Sequence, residues 1–258
     1  MIYLKEFATA QDYNAVKDNL PTPNVSLITD GSVVEYIKEE PTPPEPTPTH
    51  DYVEIGGLKW ATMNIGANSI TDGGLYFQWG DTQGYTAAQV GSENDGKKEF
   101  LCWDYKFSTE IDDECDTSWH KYNNADEISV LEATDDAVTA AWGGNWRTPS
   151  KSEYETLINT TTSAWTNNYE SSGVKGVILT DKTDNTKKLF FPAIGMAHNG
   201  QIRYSDEAYY WTNELYLETL ADFDHSWSFN AYSDEAYFYQ HGIERYDGLL
   251  VRGVWVDN

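Results

Sequence analysis

The sequence predicts an α+β protein built as a small N-terminal unit, a stiff spacer and a larger C-terminal domain. Three observations carry this. Residues 41–49, PTPPEPTPT, are proline-rich and divide the chain. After them, helix signals come early and strand signals late, the order of an α+β domain with antiparallel sheets. Before them, about 40 residues form a unit too small to bury a core of its own.

The N-terminal unit, residues 1–40, predicts a short helix over Thr9–Leu20, ended by Pro21 and Pro23. Val25–Thr29 and Val33–Ile37 then read as two strands joined at Asp30-Gly31, a hairpin turn signal. A unit of this size calls for a partner surface or for oligomerisation. The spacer that follows favours polyproline II, and at ~3.1 Å per residue it spans roughly 28 Å.

The C-terminal domain, residues 50–258, centres on Trp142–Ile158, WGGNWRTPSKSEYETLI. Gly143 and Gly144 permit turns closed to other residues. Thr148 suits an N-cap and Pro149 a first helical position, and Ser150, Ser152 and Glu153 fill the first turn. Tyr154, Leu157 and Ile158 form one apolar helix face, so Lys151–Asn159 is a short helix. Ser129–Ala141 is the other helix candidate. Tyr52, Val53, Ile55, Leu58 and Trp60 predict strands around Gly56-Gly57. Gly73–Trp79 follows, and residues 82–130 read as an insertion with little regular structure. Val174–Thr180, Lys188–Pro192, Tyr209–Leu215, Ser226–Tyr232, Ala236–His241 and Leu249–Val256 are the late strands, with a polar turn at Asp181–Asn185. RYSDEAYYW (203–211) recurs as AYSDEAYFY (231–239), which reads as two strands with similar turns.

The net charge of −25, from 17 basic and 42 acidic residues, sets the chain against nucleic acid and anionic membranes as partners. The charge is spread, about −4 over residues 1–40 and about −20 over residues 50–258. No segment reaches the ~20 apolar residues of a membrane helix, and the first residues carry no long apolar run. The expectation is a chain retained in a cytoplasm or carried out by other means. Two cysteines, Cys102 and Cys115, leave open one bridge or two free thiols.

The turn-helix resembles the "GWRxPTxxEW"-like element of C-type lectin-like folds, the formylglycine-generating enzymes included. It is most similar to the Fibrobacter succinogenes major paralogous domain. Asp51–Ala67 (DYVEIGGLKWATMNIGA) looks like that family's opening strand pair, Gly74–Asp81 (GLYFQWGD) its next motif and Gly248–Val256 (GLLVRGVWV) its closing strand. The resemblance implies a C-type lectin-like head over nearly all of residues 50–258. The N-terminal "LPxPNVSLI" segment with its hairpin resembles virion proteins of phages of Bacteroidales, the crAss-like phages among them.

The cysteines of formylglycine-generating enzymes lie late in their domain; here no cysteine follows Cys115. The five histidines show no metal-ligand spacing, and HExxH and GxSxG are absent. Catalysis is therefore not expected, and no cofactor is required; a pocket with convergent polar groups of perturbed pKa would speak for an enzyme. Glu110, Asp112, Asp113, Glu114 and Asp116 crowd one loop, read first as a solvated acidic loop and second as a structural Ca²⁺ site. Residues 198–247 are rich in Tyr, Asn, Ser, Asp and His, the composition of an adaptable recognition surface. Tyr204, Tyr209, Trp211, His225, Trp227, Tyr232, Tyr237 and Tyr239 are the ligand-binding candidates, with Trp211 and Trp227 the foremost to turn inward.

The expectation is a phage virion surface protein, a head fibre or capsid decoration assembled in the host cytoplasm. Residues 1–40 would dock on a capsid or other virion protein and join two or three chains. The head would bind a host-surface or mucus glycan, or a protein. A tail or baseplate location, a Bacteroidota cell-surface adhesin and a purely structural decoration are the alternatives.

Overall fold

The computed structural model describes residues 3–7, 25–29 and 34–38 by their backbone, and residues 47–109, 119–217, 223–233, 235–238 and 242–257. The chain divides into two compact units, Met1–Glu45 and Pro46–Asn258. The expected helix over 9–20, the Asp30-Gly31 turn and most of the proline-rich spacer lie outside the described residues.

The first unit is a three-stranded antiparallel sheet of β1 (Tyr3–Phe7), β2 (Val25–Thr29) and β3 (Val34–Lys38), with β3 central. Lys38 faces both Tyr3 and Val25 across it. The hairpin strands stand close to where the sequence puts them. β1 is an addition: YLKEF is short and charged, and it becomes a strand by pairing with the free edge of β3.

The second unit is rich in sheet, with two α-helices among the described residues. β4 (Tyr52–Ile55) and β5 (Leu58–Asn64) form a hairpin. β16 (Arg252–Trp255) pairs with β5, and β6 (Trp146–Arg147) with β16, so the two ends of the domain share one sheet, β4-β5-β16-β6. β7 (Thr161–Thr166), β8 (Gly176–Asp181) and β9 (Lys188–Pro192) form a meander. β10 (Met196–His198) and β11 (Gln201–Arg203) form a hairpin. β12 (Ala208–Leu215), β13 (His225–Tyr232) and β14 (Glu235–Phe238) form the last sheet, and β15 (Ile243–Glu244) pairs with the start of β13.

Helix α1 is Ala137–Trp142, half of the expected span. Residues 129–131 are not helical because their backbone is claimed by β12, and Asp135 N–H closes a turn on Glu132 O before the helix starts. Leu131 N–H donates to Asn213 O at 2.9 Å, and Leu215 N–H to Ser129 O at 2.8 Å, so this stretch lies along β12. Asp136 then caps α1, accepting from Val138 N and Thr139 N. Helix α2 is Lys151–Thr160, and its N-cap is Ser150 rather than Thr148. Ser150 Oγ accepts from Glu153 N while Ser150 N donates to Glu153 Oε2 at 2.8 Å, a reciprocal capping box. Thr148 is buried and turned to Asp136 instead, through its backbone N–H at 2.9 Å and its hydroxyl at 3.0 Å. One carboxylate thus starts α1 and anchors the approach to α2.

β7 was not foreseen: Thr161–Thr166 follows α2 directly, and its β-branched threonines suit an extended chain on the edge of β8. Gly74–Asp81 forms isolated bridges, Phe77 to Leu249 and Tyr76 to Tyr85, in place of a regular strand. It is held by crossed indoles: Trp79 Nε1 donates to Thr212 O at 2.9 Å, and Trp211 Nε1 to Phe77 O at 2.7 Å.

Two buried cations tie the core together. Arg252 donates to Asn64 Oδ1 (2.7 Å), Ala61 O (2.9 Å), Thr62 O (3.1 Å) and Phe190 O (3.0 Å), with Phe191 under its guanidinium. Arg245 donates to Tyr105 Oη and to the carbonyls of Lys121, Tyr122 and Phe223. The rings of Trp79, Tyr105 and Trp119 surround it within 5.4 Å. The second of these sites fixes the segment 82–130 onto the core. Its described residues, 82–109 and 119–130, are largely irregular, as expected, but bury Phe100, Tyr105, Phe107, Trp119 and Tyr122. Cys102 is buried and disulfide-bonded rather than a free thiol; Cys115 lies outside the described residues.

Candidate functional site

Asn199-Gly200 is the turn of the β10–β11 hairpin, and both residues have positive φ, 48° and 66°. That is the conformation of a two-residue type I′ turn, whose twist matches the strands it joins. The hairpin is pinned from behind by Ala197 and Gly248, which exchange two backbone hydrogen bonds of 2.8 Å. It thereby places His198 and Arg203 opposite the turn 244–247.

Between them opens a cleft of about 630 Å³, lined by residues of β10, β11, β12, β13, β14 and the segment 242–247. One wall is aromatic: Tyr204, Tyr209 and Tyr237 line it, and the rings of Tyr204 and Tyr209 are 6.1 Å apart. Tyr204 is 58% exposed. Tyr209 is largely buried and donates its hydroxyl to Glu207 Oε2 at 2.6 Å. The other wall is polar, with His198, Glu244 and Asp247.

Asp247 is the least ordinary group in the cleft. Only 1% of its side chain is exposed, its Oδ1 lies 2.6 Å from His198 Nδ1, and its Oδ2 has no hydrogen-bonding donor. Burial pushes its carboxyl up to about 7; the His198 hydrogen bond opposes this, and the neighbouring Glu244 carboxylate adds to it. The hydrogen bond to Asp247 raises the His198 imidazole above its usual value, against burial and Arg203. The two groups titrate as a pair. With Nδ1 committed to Asp247, Nε2 is the ring nitrogen left to a ligand. Burial and the Glu207 hydrogen bond raise Tyr209, so its hydroxyl stays a donor.

Of the eight residues expected to bind ligand, the structure brings together Tyr204, Tyr209, His225 and Tyr237. Trp211, a candidate but one of the two foremost to turn inward, is in the core and not in the cleft, 2% exposed with its N–H spent on Phe77. Trp227 is buried against Tyr216, with the Lys151 ammonium 3.6 Å from its ring centroid. Tyr232 is exposed but stands apart from the cleft, nearest Trp165. Tyr239 lies outside the described residues, as do Asp112, Asp113, Glu114 and Asp116. Among the described residues no group of three or more His, Cys, Asp or Glu could hold a metal ion, and no helix is long and apolar enough to cross a membrane.

The sequence reading picked the aromatic residues of 198–247 and passed over His198, Arg203, Glu207, Glu244 and Asp247. Asn199-Gly200 was the signal that could have found the first two, since that dipeptide marks a hairpin. Nothing local pairs Asp247 with a histidine 49 positions earlier. The two copies of the YSDEAY segment each turn the chain into a strand, but one position out of step. The first copy leads from β11 into β12 with positive φ at Tyr204, and the second from β13 into β14 with positive φ at Ser233, the counterpart of Ser205. Comparison with protein-family profiles, with curated protein sequences and with solved structures finds no match for this chain.

Proposed function

We propose that this protein is a surface-display protein whose C-terminal domain is a lectin-like binding head. The observation that carries the reading is the cleft, a concave site with tyrosine rings on one wall and a buried carboxylate–imidazole pair on the other. Such a site offers flat apolar surface and convergent hydrogen-bonding groups, the two things a saccharide presents in return. The sequence resemblances to C-type lectin-like domains and to virion proteins of Bacteroidales phages supply the rest. The domain is a C-type lectin-like head; the first ~40 residues, a size read from where the proline-rich composition begins, dock it on a capsid and gather two or three copies. Avidity among copies then offsets weak single-site binding. The ligand is a glycan of the host surface or mucus.

The test is glycan binding by the full-length chain and by Tyr204→Ala, which removes an exposed ring without opening the core. Binding weakened about tenfold in the variant supports the reading. Equal binding moves the ligand elsewhere, and no binding to any host or mucin glycan leaves a structural decoration. Light scattering on the same sample reads the copy number.

A second reading, acid–base catalysis in the same cleft, is favoured by the carboxyl of Asp247 held near neutrality beside His198. The described wall offers no serine or cysteine nucleophile. Release of new reducing ends from bound oligosaccharide, abolished in His198→Asn, would establish it.

A further inference from the structure

We propose that the cleft takes uncharged saccharides and rejects acidic ones, those bearing sialic acid, uronic acid or sulfate. This rests on the glycan-binding reading above and adds the class of glycan.

Two glutamates, Glu207 and Glu244, line the cleft against a single guanidinium, Arg203, while Asp247 and His198 face it as a hydrogen-bonded pair with no net negative charge. Residues 50–258 carry about −20 of the chain's net charge of −25. An anion entering the cleft meets the long-range field of the whole domain first and these side chains next. Arg203 can pair with one anionic group, but the two glutamates that line the cleft leave such a pair among like charge. A hydroxylated, uncharged sugar meets none of these costs. Its hydroxyls donate to carboxylate oxygens, the stronger kind of hydrogen bond, and to or from Nε2 of His198. Its C–H faces lie against Tyr204 and Tyr237, where an aromatic ring gives contact area without charge. The polar wall therefore discriminates and the aromatic wall holds, the division by which specificity comes from the unfavourable contact as much as from the favourable one.

The experiment uses the full-length chain and one mucin-type oligosaccharide in two forms, sialylated and enzymatically desialylated, measured by calorimetry at about 0.02 M and about 0.5 M salt. The desialylated form is expected to bind about tenfold tighter at low salt, with the gap narrowing at high salt. Glu244→Gln is expected to narrow the gap at low salt by strengthening the sialylated form. A sialylated form that binds as tightly or tighter overturns the proposal and leaves the glycan-binding reading standing. Two forms that both fail to bind, alongside a neutral host-surface glycan panel that also fails, remove the reading on which it rests.

Discussion

His198 Nδ1 and Asp247 Oδ1 lie 2.6 Å apart although 49 positions separate them, and the carboxyl is almost wholly buried. The pair joins the β10–β11 hairpin to the turn after β15, so it fixes the shape of the cleft as well as its chemistry. Both groups bind protons more tightly folded than unfolded: burial and Glu244 raise Asp247 to about 7, and Asp247 raises His198. A group so raised contributes most at low pH and loses its contribution as pH climbs through the folded value. Stability should therefore fall by on the order of 2 kcal/mol between about pH 5.5 and about pH 8. Urea denaturation at the two pH values checks this, and Asp247→Asn should flatten the slope. An unchanged slope in the variant would assign the pH dependence to other groups.

Arg252 is expected to tolerate no replacement. Its three nitrogens satisfy Asn64 and three backbone carbonyls drawn from β5 and β9. A lysine supplies a point charge with fewer donors and no fork. Arg252→Lys should cost about 2 kcal/mol and Arg252→Met about 3 kcal/mol or more, from stranded acceptors in the core. Chemical denaturation midpoints read both.

The two helix starts should differ in cost. Ser150→Ala removes one cap bond at the surface and should cost about 1 kcal/mol. Asp136→Ala strips acceptors from Val138, Thr139 and Thr148 together, in the buried interior, and should cost about 3 kcal/mol. Equal losses in thermal or urea melts would show that Asp136 acts only as an ordinary cap.

Gly200 sits at φ +66°, and a Cβ there would come 3.1 Å from the Gly91 carbonyl carbon. Gly200→Ala should destabilise by about 1 kcal/mol, the cost of a left-handed residue with a side chain. Its larger effect should be on ligand affinity, because the hairpin carries His198 and Arg203. A variant that binds as the parent does, with the same loss of stability, would show the cleft to be insensitive to the hairpin's position.

By itself the sequence determined the local features whose causes lie within a few residues. The proline-rich break, the hairpin strands of the first unit, helix α2 with its apolar face, and the strands β8, β9, β12 and β13 follow from turn chemistry, capping and periodicity. Cleft residues Tyr204, Tyr209 and Tyr237 were legible as members of a tyrosine-rich stretch. Only the tertiary structure decided where distant segments compete or meet. Residues 129–131 gave up helix because β12 offered their backbone a partner. β1 and β7 became strands because an adjacent strand had an open edge. His198, Glu244 and Asp247 became one site through sheet pairing alone. Burial then turned an ordinary aspartate into a carboxyl held near neutrality, and burial is a property of the packed chain, which no short stretch of sequence records.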